Sequence, residues 1–285
     1  MSHIPRIPPE GDDARPRPWR TAAARPGAEG GTPRSGTPQG TPPGHDPHRA
    51  GAEPAREPAL MLPGSVVVMV AIIALVQLVR STLSPQQDVV TQLWFAFIPA
   101  RYADSFFPFP GGLGADVWTF VSYALLHGSW VHLLTNAVWL VAFGSAVARR
   151  FGPLRFWLFS AAAAAGGAAL HLALHFGDPI PVVGASAAIA GQMAAAARFV
   201  FDAGGPIVLR RPGDDSAFRR PARSLVDTFR NRSALLFIVI WFGINLAVGL
   251  GSSVSGGIAI AWEAHIGGFL VGLLLFRFFD PVSPR

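Results

Sequence analysis

The sequence predicts an all-α integral membrane protein of six transmembrane helices, because of its composition, its long apolar segments and its distribution of arginine. Of the 285 residues, 51% are hydrophobic and only 14% are charged, whereas a soluble domain usually carries about 25% charged residues. Spanning the hydrocarbon core takes about 20 mostly apolar residues. Six segments meet this requirement, at residues 62–80, 129–148, 154–174, 184–201, 233–250 and 258–279.

Arginine predicts the orientation of these spans, since the sequence contains no lysine. Three arginines lie in the connection 149–155 and seven in the connection 202–232, while 175–183 and 251–257 contain none. Loops rich in arginine favour the cytoplasmic side of a membrane, so we expect both termini to be cytoplasmic. The net charge of +6 is explained in the same way. We therefore expect the lipid bilayer, and no nucleic acid, as a partner.

The segments outside the spans differ in character. Residues 1–58 are rich in Pro, Gly, Ala and Arg. Such a segment cannot bury enough apolar surface to offset the entropy of ordering, so we predict a disordered cytoplasmic tail. The membrane domain follows at 59–281. Residues 81–117 are long and aromatic, which favours a folded element at the outer interface. Residues 282–285 form a short C-terminal tail. The absence of cysteine excludes disulfides and thiolate catalysis.

Hydrogen-bonding and ionisable groups within the spans are functional candidates, because such groups are costly in a bilayer. His132 and Asn136 lie four residues apart and share one helical face, with His127 just before them. Ser186 lies in the first turn of the fourth span, where backbone N–H groups lack intrahelical partners. His265 lies in the sixth span. The predicted topology lets these side chains converge just below the outer surface.

This set of residues predicts nucleophilic chemistry at a serine. A serine hydroxyl is a weak nucleophile and needs an adjacent base. Small residues flank both Ser186 and His265, which lets their helix backbones approach closely. We expect the hydroxyl and the imidazole to come within hydrogen-bonding reach, with His132, Asn136 and backbone N–H groups stabilising an oxyanion. This chemistry requires neither a metal nor a cofactor.

Three motifs resemble those of the rhomboid family of intramembrane serine proteases, over residues 62 to 280. They are "HGSWVHLLTN" at 127–136, "GAS" at 184–186 and "AHIGGFLVG" at 264–272. The resemblance implies a rhomboid-like six-helix bundle with a Ser186–His265 dyad and no third acid. It also implies an oxyanion site from His132, Asn136 and the Ser186 backbone, with supporting roles for His127 and Gly184. The implied substrates are single-span membrane proteins, cut near the outer end of their helix.

Three positions depart from the family pattern. The family commonly has Gly where this chain has Ala187, which affects backbone geometry at the oxyanion site. Where the chain has Ala190, an aromatic residue often packs on the catalytic imidazole, so we expect His265 to be held less firmly. The first loop has Trp118-Thr119 where Trp-Arg is common. These departures leave open a second reading, a catalytically inactive rhomboid-like protein that binds membrane clients.

Simpler readings apply to individual residues. Ser186 alone would be interpreted as a helix cap, and His132 with Asn136 as a link between helices. His171 and His175 also lie four residues apart, a spacing that can bind metal. We interpret this pair as interfacial, with a metal site as the lesser alternative. Two further candidates are Asn245 and Glu263. Asn245 is interpreted as a group that bonds a neighbouring helix, and Glu263 either bonds a neighbouring helix or reaches the outer interface.

Two broader alternatives concern the whole chain. A small transporter could use the same polar groups as a pathway, but it would predict internal repeats or broken helices in matched halves, and the sequence shows no clear repeat. Basic residues that are all arginine, and the absence of an organelle signal, favour a bacterial inner membrane.

Overall fold

The computed structural model of the protein describes residues 62–103, 108–201, 216–254 and 260–282. Within these ranges the chain is helical and has no strand, in agreement with the predicted all-α class. One isolated antiparallel bridge joins Phe97 to Val182. The predicted disordered tail lies outside the described residues, as does the first half of the arginine-rich loop.

Ten α-helices make up most of the described chain. They are α1 (Gly64–Arg80), α2 (Pro85–Phe95), α3 (Gly112–Ser122), α4 (Trp130–Trp139), α5 (Ser145–Phe151), α6 (Pro153–Leu174), α7 (Ser186–Ala197), α8 (Leu225–Arg230), α9 (Arg232–Val254) and α10 (Trp262–Phe279). A π-helical turn, Leu140–Gly144, joins α4 to α5. Short 3-10 turns lie at Pro99–Tyr102, Tyr123–Leu125 and Ser216–Arg219.

Four helical segments of the described chain are long and apolar enough to cross a membrane. They are Trp130–Phe151, which comprises α4, the π turn and α5, together with Pro153–Leu174, Arg232–Gly251 and Trp262–Phe279. The first predicted span corresponds to α1, which is apolar but has 17 residues. The fourth predicted span, 184–201, corresponds to α7, which has only 12 residues.

The short helix α7 lies at the centre of the bundle, and every residue of it except Ser186 is buried. Helix α10 approaches its backbone through glycine. A Cβ on Gly268 of α10 would collide with the carbonyl oxygen of Ala187, and one on Gly272 would collide with that of Gly191. Small residues at four-residue spacing permit this approach. Helix α7 is therefore enclosed by protein on all sides.

Residues 81–117 are folded wherever the structure describes them, because α2 lies within this segment and α3 begins in it. The buried Arg101 side chain fixes its shape by donating to the carbonyl oxygens of Leu93 and Pro110. The ring of Trp118 stacks on that of Trp94 with centroids 6.2 Å apart, and its Nε1 donates to the Trp94 carbonyl over 2.9 Å. The position of this segment at the outer interface stays a prediction.

Arg150, one of the arginines that predict orientation, also has a structural role. Its side chain is buried and forms a two-pronged ion pair with Asp280, with both N–O distances at 2.9 Å. It also donates to the carbonyl oxygens of Phe218 and Arg220. Planar guanidinium groups suit such forked pairing. Arg150 thus ties the end of α5 to the end of α10 and to the segment before α8.

Candidate active site

Ser186 is positioned by an irregular segment that is tethered before α7 begins. Val182 exchanges two backbone hydrogen bonds with Phe97, at 2.8 and 3.1 Å, and the Gly184 N–H donates to the Tyr123 carbonyl over 3.0 Å. Gly184 has a φ of +125°, a conformation that residues with a Cβ rarely adopt. Ala185 occupies the N-cap position and Ser186 is the first helical residue. Ser186 is therefore not the cap, and its side chain is half-buried.

The imidazole of His132 lies beside this segment, against the missing side chain of Gly184. Ser129 caps α4 by accepting the His132 N–H over 3.1 Å, which sets the height of His132 on the helix. A Cβ on Gly184 would lie 2.8 Å from His132 Nε2 and 3.7 Å from Ser186 Oγ. The imidazole edge and the hydroxyl therefore border the same space.

The contacts of the His132 ring favour Nε2 as its hydrogen-bond donor. The Gly128 N–H is directed at Nδ1 across a long contact of 3.5 Å. A neutral imidazole has one donor and one acceptor nitrogen, so an N–H facing Nδ1 favours the tautomer that carries its hydrogen on Nε2. This hydrogen points to the space next to Ser186.

Asn136 lies one turn beyond His132 on the same face and is 4% exposed. Its Nδ2 donates to the His132 carbonyl oxygen over 3.1 Å. A carboxamide nitrogen carries two hydrogens, so one remains after this bond. His132 and Asn136 thus share a face, as the four-residue spacing predicts.

Helix α10, which carries His265, packs against the start of α7. Ala187 follows Ser186 directly, and its carbonyl oxygen is in close contact with Gly268, one turn after His265. The two backbones therefore touch one residue after Ser186 and three residues after His265.

Asn245 on α9 holds the imidazole of His265. Its Oδ1 lies 2.6 Å from His265 Nδ1, and its Nδ2 donates to the Trp262 carbonyl over 3.2 Å. A carbonyl oxygen only accepts, so the contact with Trp262 fixes which end of the amide faces His265. It follows that His265 carries its hydrogen on Nδ1. Nε2 is left with a free lone pair.

The buried ring of His127 packs against the ring of His132. His127 is 1% exposed, and its ring packs edge-to-face on that of His132 with centroids 5.1 Å apart. Burial, reinforced by the neighbouring His132, lowers the pKa of His127 to about 4. His127 is therefore neutral at pH 7, and its ring contacts His132 by packing.

Sequence reasoning missed the residues that hold His127 in place. The Nη1 of Arg80 donates to the His127 carbonyl over 2.7 Å. Both carboxylate oxygens of Asp88 accept hydrogen bonds from the same guanidinium group, at 2.7 and 3.0 Å. These hydrogen bonds lower the pKa of Asp88. No local pattern connects Arg80 to His127, because they are 47 residues apart.

Ala187, which departs from the family pattern, is accommodated by α6. A Cβ on Gly167 would lie 2.6 Å from the Ala187 Cβ and 2.6 Å from the Ala264 carbonyl oxygen. Because Gly167 has none, the Ala187 methyl group fits between the helices. Ala190 is buried in a cluster with Phe269 of α10.

A model of the Rhomboid domain family matches residues 114–279, more than half of the chain. The chain belongs to the rhomboid family. A search of curated proteins found no match to it. Rhomboid proteins are generally intramembrane serine proteases, and the family match together with the apolar helices makes this chain an integral, multi-pass membrane protein.

The matched range of this rhomboid protein includes His127, His132, Asn136, Ser186 and His265. Arg80 and Asp88 lie before it. Asn245 lies inside it, and its sequence signal was a lone carboxamide in a strongly apolar helix. That signal correctly predicts a bond to a neighbouring helix but does not identify His265 as the partner.

Proposed function

We propose that this rhomboid protein is an intramembrane serine endopeptidase that cleaves single-span membrane proteins near the outer end of their transmembrane helix. The observation that carries the proposal is the arrangement of His265. Asn245 occupies its Nδ1 and leaves Nε2 as a base, on a helix that touches the start of the Ser186 helix. A serine needs such a base beside it, itself oriented by a third group.

In the proposed reaction, Ser186 Oγ attacks the scissile carbonyl carbon and His265 Nε2 takes the hydroxyl proton. The carbonyl oxygen becomes an oxyanion. His132 Nε2–H, the remaining amide hydrogen of Asn136 and the Ser186 backbone N–H are its donors. The intermediate collapses as His265 returns the proton to the leaving amine. Water then hydrolyses the acyl-enzyme by the same route in reverse.

The length of α7 supports an active site below the membrane surface. Twelve residues cover about 18 Å at 1.5 Å per residue, less than the roughly 30 Å of the hydrocarbon core. Ser186 at the start of α7 is then recessed, and water reaches it through a cavity. In this arrangement α1, α4 with α5, α6, α7, α9 and α10 form six spans, with both termini in the cytoplasm of a bacterial cell and the domain in its inner membrane.

The test is cleavage of a model single-span substrate by the pure protein in liposomes. We expect cleavage by the wild type and none by Ser186→Ala or His265→Ala. Thr135→Ala is the matched control, because this exposed hydroxyl next to Asn136 donates to the carbonyl of Val131 in its own helix. A fluorophosphonate should label the wild type and the control but not Ser186→Ala.

The second candidate function, client binding without catalysis, makes the opposite prediction. The wild type would then cleave none of several substrates and resist the fluorophosphonate, while a substrate still co-purifies with it. The departure at Ala187 is the reason to include this outcome.

A further inference from the structure

Three ionisable side chains meet between α6 and α10, apart from the proposed catalytic residues. His171 and His175 lie one turn apart at the end of α6, and Glu263 lies in the first turn of α10. We call His171, His175 and Glu263 the His–Glu cluster. Glu263 is two residues before His265 and so points to a different face of α10.

The distances within the His–Glu cluster bring three metal-ligating atoms together. His175 Nε2 lies 3.2 Å from Glu263 Oε1, and His171 Nδ1 lies 3.9 Å from Glu263 Oε2. The two imidazoles stack with centroids 4.4 Å apart. One ligand atom from each residue lies within 4.8 Å of the others. Zinc holds nitrogen at about 2.0–2.1 Å in a tetrahedral shell, so its ligands lie about 3.3 Å apart, and a bound ion would draw the three side chains together by rotation.

Hydrogen bonding within the described residues leaves the cluster incomplete. The side chain of His171 is 9% exposed, and its Nδ1 is buried and has no hydrogen-bond partner there. That nitrogen faces the Glu263 carboxylate from beyond hydrogen-bonding distance. An unsatisfied buried polar group is costly. A cation between the three side chains would satisfy the nitrogen and neutralise the carboxylate.

We propose that the His–Glu cluster binds one divalent transition-metal ion of the zinc class. Two imidazole nitrogens and one carboxylate suit zinc and leave a fourth position open. Behind His175, the Asp178 carboxylate lies 3.8 Å from Nδ1, where a carboxylate commonly orients a metal-bound histidine. The His175 side chain is 34% exposed, which provides an entry path. The bound ion joins the end of α6 to the start of α10.

The test is metal binding to the full chain in detergent micelles after treatment with a chelator. We expect one Zn²⁺ per chain by equilibrium dialysis, displacing Co²⁺ whose visible absorbance reports tetrahedral nitrogen and oxygen ligands. Glu263→Gln and His175→Gln should each weaken binding by more than about 100-fold. Asp178→Asn should weaken it by roughly 10- to 100-fold. Zn²⁺ should raise the thermal midpoint of the wild type but not of Glu263→Gln.

The chain contains other histidines, so the control is the double variant His45→Gln/His48→Gln, which should bind Zn²⁺ as the wild type does. The midpoint without metal shows whether each variant folds, and His175→Gln, at the exposed edge, is the safer of the two ligand variants. The proposal is overturned if the wild type binds no Zn²⁺. It is also overturned if binding survives in Glu263→Gln and His175→Gln, or disappears in the tail variant.

Discussion

Asn245 Oδ1 lies 2.6 Å from His265 Nδ1, and the same carboxamide is anchored to the Trp262 carbonyl. This bond joins α9 to α10 and sets the tautomer of the imidazole. The same bond bears on the expectation that the His265 ring is held less firmly because position 190 is alanine. A hydrogen bond to Nδ1 restrains the ring where the sequence lacks the aromatic residue that often packs on it.

Asn245→Ala should lower kcat about tenfold or more and leave KM nearly unchanged. Losing one hydrogen bond to the proposed base is worth about 1–2 kcal/mol, and in the proposed reaction this base acts in the chemical step rather than in substrate binding. The measurement is steady-state cleavage in liposomes. Ile244→Ala is the matched control, since this neighbouring side chain is 60% exposed. An unchanged kcat, or a change confined to KM, would show that Asn245 only links helices.

Gly184→Ala should reduce kcat by about 100-fold or more. The substitution forces a Cβ into a φ of +125°, which costs about 1–3 kcal/mol. It also pushes the His132 ring, whose Nε2 would lie 2.8 Å away, and removing one oxyanion donor typically costs 10²–10³ in kcat. Gly128→Ala is the control, because its Cβ would come no closer to His132 than 4.0 Å. Equal activity of the two variants would argue against His132 as a donor.

Gly268→Ala should lower the free energy of unfolding by about 3 kcal/mol or more. Its methyl group would collide with the backbone of Ala187, and backbone cannot rotate away as a side chain can. Gly243→Ala on α9 is the control, because no atom of the described residues lies within 4 Å of its added Cβ and alanine favours a helix. Thermal unfolding in micelles compares the two. Similar midpoints would mean that α7 and α10 can separate without loss.

The sequence predicts the long spans and the approach of α10 to α7, because both follow from local patterns. Apolar length identifies a span, and the glycines at 268 and 272 indicate a close helix contact. The paired spacing of His132 and Asn136 likewise predicts one shared face. These features depend on residues within a few turns of one another.

Other features depend on partners that no local pattern identifies. The 18-residue apolar run at 184–201 contains a helix of only 12, because Gly184 takes a left-handed conformation and the helix ends at Ala197. The hydropathy of the sequence indicates neither the late start of this helix nor its early end. The bond from Asn245 to His265 and the meeting of His175 with Glu263 join separate helices. Their partners follow only from how those helices pack.

Protonation of His127 should destabilise the protein below neutral pH. Its pKa is about 4 in the folded chain against 6.5 for a free histidine, so the unfolded chain binds more protons between these values. The contribution of His127 to the free energy of unfolding should therefore be constant above pH 6.5 and fall by about 3 kcal/mol as pH drops to 4. His127→Gln should lose this part of the slope, which thermal midpoints measured from pH 4 to 8 would show.

Asp88→Asn is the control for this pH dependence. The hydrogen bond from Arg80 lowers the pKa of Asp88 below its usual value of 3.8. Its stabilising contribution is therefore complete above pH 3.8 and is lost as pH falls through the lowered folded value. Asp88→Asn should leave the slope between pH 4 and 6.5 intact. If the slope survives in His127→Gln and disappears in Asp88→Asn, then the Arg80–Asp88 pair rather than the buried imidazole governs acid stability at this end of α4.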